Sequence, residues 1–409
     1  MSGTVPRAPH HASHDLADAV RPSALRSRVI CVAALLAAYA AIGAIVAGLP
    51  PFAAARTEGP EARAEVDPAH AAPSSVQAAR RVTIVATGDV ALGGMGNLPP
   101  EDGTDLFAGV RRHLTGDIVL GNLEQALTAR GASKCGSGSD NCFAFRTPPS
   151  YARTLERAGF TVMNLANNHS YDFGEQGLAD TVAALDRYGL AHTGRPGEVA
   201  FQRVGRTRVA VLGFAPYPWA QSLTDVDAAR VLVRRAARQS ELVVVTMHAG
   251  AEGASMTHVR PGPETYLGEA RGDPMRFARA VVDAGADLVV GHGPHVLRGM
   301  EWYRGRLIVY SLGNFVGYGT FSRSGVLGIS ATVAVTLRSD GSWLRGRLVP
   351  LRSVGQGSPV GDRGREAQAL VGSLSREDFG ARGAMVRPRD GAILRPRRYP
   401  PIRRTIFPS

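Results

Sequence analysis

The chain has 409 residues, 44% of them hydrophobic and 20% charged, enough for one large globular domain or two ordinary ones. Its formal net charge is +12, which by itself points to nucleic acid or a membrane surface, but the only lysine is Lys134 and the remaining positive charge is arginine spread along the chain. An arginine bias of that kind follows equally well from the base composition of the coding DNA, so charge alone selects no partner.

Taken in chain order, the first feature is a polar leader, residues 1–28, with Arg21, Arg26 and Arg28 near its end. Val29 to Leu49 then runs 21 residues without a charge, long enough for a helix to cross ~30 Å of hydrocarbon. The preceding arginines predict that the leader stays in the cytoplasm. The span is expected to be a retained single-pass anchor in the cell membrane; Ala53-Ala54-Ala55 leaves open cleavage by a signal peptidase. On either reading the rest is extracytoplasmic, which disfavours nucleic acid as a partner. Residues 50–80 carry no apolar periodicity and read as a linker.

From Arg81 onward one pattern repeats: a β-branched run, a polar residue, then a helix-like stretch. "RVTIVATGD" ends at Asp89, "DIVLGNLE" at Asn122 and Glu124, and "FTVMNLANNHSYD" passes Asn167, Asn168 and His169. "ELVVVTMHAG" ends at His248, "ADLVVGHGPH" at His292 and His295, and "RLIVYSLGNF" is read as one strand ending at Asn314. Near-continuous apolar runs indicate strands buried on both faces. Helices are expected over Gly174 to Tyr188, with Leu178, Val182 and Leu185 on one face, and over Asp273 to Ala284. The architecture is therefore layered α/β, and such sheets bind ligands beyond the carboxyl ends of their strands. Cys135 and Cys142 flank a Gly/Ser-rich loop that would close as a disulfide in an oxidising compartment. Residues 381–409 hold eight arginines (382, 387, 389, 395, 397, 398, 403 and 404) and one acid, Asp390, and read as a poorly folded basic tail suited to an acidic polymer.

The strand-end residues Asp89, Glu124, Asn168, His248, His292 and His295 are carboxylates, an amide and imidazoles, with no thiolate. That donor mix suits Mn, Zn or Fe rather than calcium. Six such groups exceed the need of one tetrahedral zinc, so two divalent transition-metal sites are expected.

"TGDVALGG" (87–94), "GNLEQALT" (121–128), "NLANNHSYDFGEQGLADTVAALDRYGLAHTG" (164–194), "MHAGAE" (247–252) and "GADLVVGHGPHVLRGMEWYRGRLIVYSLGNFV" (285–316) follow one another in this order. Together they resemble the CapA family of capsule (poly-γ-glutamate) biosynthesis proteins, an offshoot of the calcineurin-like metallophosphoesterases. The resemblance covers about Arg81 to Gly317. It implies a metallophosphatase-like four-layer α/β/β/α sandwich over 81–320, completed by 321–380, and partner subunits of polymer synthesis.

The resemblance also assigns roles. Asp89, Glu124, Asn168, His248, His292 and His295 would be metal ligands, His169 would protonate a leaving group, and Asp172 would orient it. Asn122, Asn167, Glu252, Glu301 and Asn314 would line the same cleft. Three departures stand out: Ala91 replaces a phosphoesterase histidine, the closing H-x-H is spread over His292 and His295, and Gly293 and Ala249 replace a family histidine and tryptophan. Three functions remain open: a polymer-biosynthesis protein with a metal-bearing cleft, a metal-dependent hydrolase of another envelope substrate, or a non-catalytic accessory subunit.

Overall fold

The computed structural model describes residues 80–94, 96–136 and 142–396. The segments 1–79 and 397–409 lie outside the described residues, and with them the expected anchor Val29 to Leu49, the linker and Arg397, Arg398, Arg403 and Arg404. Among the described residues no helix is long and apolar enough to cross a membrane.

Two sheets carry the fold. Across the first, the strands run Ser358–Gly361, Trp343–Val354, Ile329–Arg338, Arg81–Ala91, Ile118–Leu123, Val162–Asn164 and Ala191–Thr193. Asn314–Gly317 also pairs with Arg81–Ala91, in parallel. Across the second they run Met300–Tyr303, Arg306–Val309, Leu288–His292, Leu242–His248, Thr207–Phe214 and Ala200–Val204. The strands bearing Asp89, Asn122 and Asn164 are parallel to one another in the first sheet, and those bearing His248 and His292 in the second. Their apolar runs follow from burial on both faces.

One layer of side chains, including Ile84, Leu120, Val211, Val244, Val290 and Val309, lies between the sheets. A second, with Val85, Val119, Leu155 and Leu185, joins the outer face of the first sheet to the helices Ala152–Ala158 and Gly174–Arg187. A third, with Val233, Val245, Phe277 and Val289, joins the second sheet to the helices Val226–Gln239 and Pro274–Asp283. The order is therefore helix, sheet, sheet, helix. The outer helices are punctuated by their own sequence: Asp225 and Asp273 cap the latter two by accepting from Ala228 N and Arg276 N, and Pro274 takes the first turn. A fifth helix, Glu366–Phe379, adds Ala367 and Val371 to the layer between the sheets.

Two expectations change. "RLIVYSLGNF" is two strands, not one: Arg306–Val309 belongs to the second sheet and Asn314–Gly317 to the first. The chain crosses between sheets over Tyr310 to Gly313, where a Cβ on Gly88 would stand 1.9 Å from the Gly313 carbonyl oxygen. Two backbones can approach that closely only without the side chain, and Asp89 N donates to that same oxygen at 3.0 Å. The part of the basic tail up to residue 396 is folded. Met385–Val386 pairs with Ile393–Leu394, Arg382 Nε lies 2.9 Å from Glu301, and Arg395 lies over the Trp302 ring. Charge density misled here because Arg382, Arg387 and Arg395 have a carboxylate, a carbonyl or a ring to meet. Cys135 and Cys142 are joined as a disulfide, with their Cα atoms 5.5 Å apart.

One surface cluster gives a pH expectation. Glu198 accepts from Arg195 and pairs with His192 at 2.8 Å each. Burial would raise its carboxyl, but hydrogen bonds from His192 and Arg195 hold it at about 2. The same bond to Glu198 raises His192. Glu198 thus contributes stability that is present above its ordinary 4.5 and is lost as pH falls towards 2. His192 contributes stability below its ordinary 6.5 that is lost as pH rises through its elevated value. Glu198→Gln should therefore flatten the acid limb of the stability curve; a urea midpoint that still falls as steeply between pH 5 and pH 3 would exclude this role.

Candidate metal centre

Register places the site. In the first sheet Asp89 is aligned with Asn314 on one side and Asn122 on the other, and Asn122 with Asn164. In the second sheet His248 and His292 are aligned directly. Both rows lie at the carboxyl ends of parallel strands, so two sheet edges present amides and a carboxylate on one side and imidazoles on the other. The next residues complete the group: Glu124 follows its strand, with its N–H on Val90 O at 2.9 Å, and the Gly293-Pro294-His295 turn follows His292.

Asp89, Glu124 and His248 each offer a ligand atom within 4.8 Å of the others, and all three are buried. Around Asp89, His292 Nδ1 lies 3.4 Å from Oδ1 and His295 Nδ1 3.3 Å from Oδ2, while Asn122 Nδ2 and Gly293 N donate to the carboxylate. Glu124 Oε1 lies 3.7 Å from His248 Nε2 and 3.6 Å from His295 Nε2. Gly293 has φ +105°, and a Cβ there would meet the His248 ring at 3.0 Å, so at this turn glycine is required by both conformation and space. His295 itself is left-handed, with φ 60°. That region costs energy for any residue with a Cβ, and the conformation is held by the bond to Asn314 Oδ1 at 2.9 Å.

The electrostatics suit a divalent cation. Burial would raise the Asp89 carboxyl, but the close imidazoles of His292 and His295 hold it well below the usual carboxylate range. Burial and the neighbouring Asp89 charge push Glu124 up. Burial pushes His248 down. Burial opposes charge on His295 as well, yet Glu124, Asp89 and Glu252 raise it to about 10. Both Glu124 oxygens, His248 Nε2, both His292 nitrogens and Asn168 Oδ1 are buried and make no hydrogen bond. Buried polar atoms without partners cost about 1–3 kcal/mol each. Their convergence, with hard oxygen and borderline nitrogen donors, fits a divalent cation.

The other expected residues divide. His169 Nδ1 is 2.8 Å from Asp172 Oδ2, and Asp172 is itself fixed by Phe145 N and by Lys134 Nζ at 2.7 Å. Burial lowers the His169 imidazole, which favours its neutral form despite Asp172. Asn167 is a brace, donating to Asn122 Oδ1 and Leu123 O and accepting from His169 N. Asn168 reaches the cleft wall, but no contact joins it to the carboxylates. Glu252 bridges Arg271 at 2.7 Å and His295 at 3.6 Å.

Glu301 does not belong to this cleft, contrary to expectation. It is buried on the edge strand Met300–Tyr303 and bound by Arg279, Arg382 and the Tyr310 hydroxyl. Glu301→Gln should cost about 1–3 kcal/mol in unfolding free energy, because one of its two acceptor oxygens becomes an NH₂ facing the donors of Arg279, Arg382 and Tyr310. Metal content should stay unchanged; loss of metal in this variant would return Glu301 to the site.

Sequence reading missed Asn164, Arg271 and the aromatic wall. Asn164 donates to Asn122 Oδ1 at 2.8 Å, and its only signal was an amide inside a buried run. Arg271, Lys134, His169, Tyr217, Trp219 and Tyr266 border a cleft of about 560 Å³ next to the carboxylates. Trp219 stacks on both Tyr171 and Tyr217, with centroids 5.1 Å apart. These residues come from four separate stretches of chain, so no local pattern announces them.

The sequence pattern of the family described as bacterial capsule synthesis protein PGA_cap matches residues 83–318. The chain belongs to that family. The capsule biosynthesis protein CapA of Bacillus anthracis is 32% identical over 303 residues, 68% of this chain and 69% of that one. The PGA biosynthesis protein CapA of Bacillus subtilis is 31% identical over 217 residues, 49% of this chain and 53% of that one, so the match spans only about half of that relative. Among solved structures, a 5'-nucleotidase precursor from Thermus thermophilus is similar over 74% of this chain and 60% of its own, with a TM-score of 0.39 and 14% identity. The family segment 83–318 contains every residue of the centre.

Proposed function

We propose that the chain is a membrane-anchored, extracytoplasmic protein of capsule or poly-γ-glutamate-type polymer biosynthesis whose strand-end cleft holds a divalent transition metal. The observation that carries this reading is the buried Asp89–Glu124–His248 group, with both Glu124 oxygens and His248 Nε2 unpartnered, inside the segment that matches the family. Asp89, Glu124, His248 and His292 would hold the metal, with Asn168 completing it from the cleft wall. A divalent ion in such a place polarises a bound oxygen and makes a nucleophile of water at neutral pH.

The chain's own residues supply the rest. Asp172 fixes His169 through Nδ1, leaving the other ring nitrogen to hold or deliver a proton at the cleft, which His169 lines. Arg271 and Lys134 favour an anionic substrate, and the Tyr171–Trp219–Tyr217 stack keeps their wall rigid. The His169–Asp172 pair favours chemistry over a purely accessory role, because a brace would not require an imidazole aimed at the cleft.

In a host lacking its own copy, the wild-type chain should restore polymer and His248→Ala should not. Equal restoration by both would defeat the proposal. The full-length chain should also stay with membranes in high salt.

A further inference from the structure

We propose that the outer edge of the first sheet carries a second binding site, for a chain bearing anionic groups at intervals, formed around Arg112, Arg347, Arg363, Arg365 and Arg389. These five arginines border a depression of about 400 Å³ beside the strand Ser358–Gly361. None of its lining residues belongs to the metal centre or its cleft.

Positive charge there is in excess, five arginines against the two carboxylates Asp362 and Asp390. None of the five makes an ion pair with a carboxylate among the described residues, although ten other arginines do. Of the two acids at the rim, Asp390 is paired with Arg387, outside the five, at 2.5 and 2.7 Å, and Asp362 keeps its charge while accepting from Gly364 N and Glu366 N. Arg112 and Arg347 stand close enough to His113 to depress its imidazole further than burial alone. Like charges gathered without counter-ions repel, and an external anion relieves that repulsion.

A second observation points the same way. Gln368, 3% exposed, lies at the depression with its Oε1 lacking any hydrogen bond. O and N of a side-chain amide are alike in shape, and with the two exchanged Gln368 would donate its NH₂ to a bound anion. Guanidinium groups recognise carboxylate and phosphate alike through paired N–H bonds.

The shape favours a chain over a single ion. A neighbouring depression of about 410 Å³ shares Asp362 and adds Arg323 and Arg352, again without ion pairs among the described residues. The loop that supplies Arg323 also carries Phe321, whose ring lies 4.8 Å from that of His295. The arginine track therefore runs up to the loop that backs the metal centre. A polycarboxylate bound along it would be held near the cleft while its end is free to enter. This inference does not depend on metal being bound.

The test uses the full-length protein and a fluorescent α-linked oligoglutamate of about 15 residues, with inorganic phosphate as competitor and the metal content of each variant measured. Arg347→Ala with Arg389→Ala should weaken oligoglutamate binding by roughly tenfold or more and leave metal content unchanged. Gln368→Glu, which places an acid at the same position, should weaken it too. Arg206→Ala with Arg238→Ala removes the same charge from other exposed positions and should have little effect. Equal weakening by this control pair would overturn the proposal in favour of diffuse charge. Full displacement by phosphate at its own single-ion affinity would overturn the chain in favour of a lone-anion pocket.

Discussion

Asp89→Ala and His248→Ala should each abolish stoichiometric metal binding while the domain stays folded. Loss of a residue that merely orients a ligand already costs about 10–100-fold in metal affinity, so loss of a ligand should exceed that. Folding should survive because both side chains sit at strand ends, beyond the apolar layers that hold the sheets together. Glu124→Gln should separate the two effects further. Its carboxyl is buried without a hydrogen bond and is pushed up by burial and by Asp89, so it destabilises the metal-free chain. The metal-free amide variant should therefore melt higher than the metal-free parent and bind metal worse. The parent should also release protons on loading, since Glu124 sits above its ordinary value and a metal displaces protons from its ligands. Metal analysis, calorimetry in two buffers and thermal melts with and without chelator read all three. Stoichiometric metal in both Asp89→Ala and His248→Ala would mean that the site lies elsewhere.

His169→Ala should leave metal content intact and lower any phosphoester- or polymer-cleaving activity by about 10²- to 10⁴-fold, the usual contribution of a positioned proton donor. Asp172→Asn is the informative companion. It keeps the shape but weakens the hold on His169 Nδ1 and on Lys134, so its pH–rate profile should shift as well as fall. Burial depresses the His169 imidazole and the Asp172 charge opposes that, so removing the charge should move the profile to lower pH. If His169→Ala restores polymer fully in the host while Asp89→Ala does not, the metal is structural and the accessory role stands.

Much of this was legible in the chain because it follows from local rules. A fully buried parallel strand must be an apolar run, so each run announced its strand, and the first polar residue after it announced the sheet edge. That is why Asp89, Glu124, His248 and His292 could be named one by one. The helix Gly174–Arg187 was likewise visible in the 3.6-residue spacing of Leu178, Val182 and Leu185.

What the chain could not disclose was which edge faces which. Only sheet pairing sets Asp89 beside Asn314 and His248 beside His292, and only packing of one sheet on the other brings those rows within a metal's reach. The crossover at Tyr310 to Gly313 hides in a run that reads as one strand, because a change of sheet needs only a glycine and leaves the apolar pattern intact. Glu301 followed its family motif faithfully yet points to Arg279 and Arg382, since an edge strand turns alternate side chains away from the cleft. The arginine track shows the same limit. Arg112, Arg347 and Arg389 are more than 40 residues apart in sequence and become one site only through strand order, because electrostatic repulsion acts through space and not along the chain.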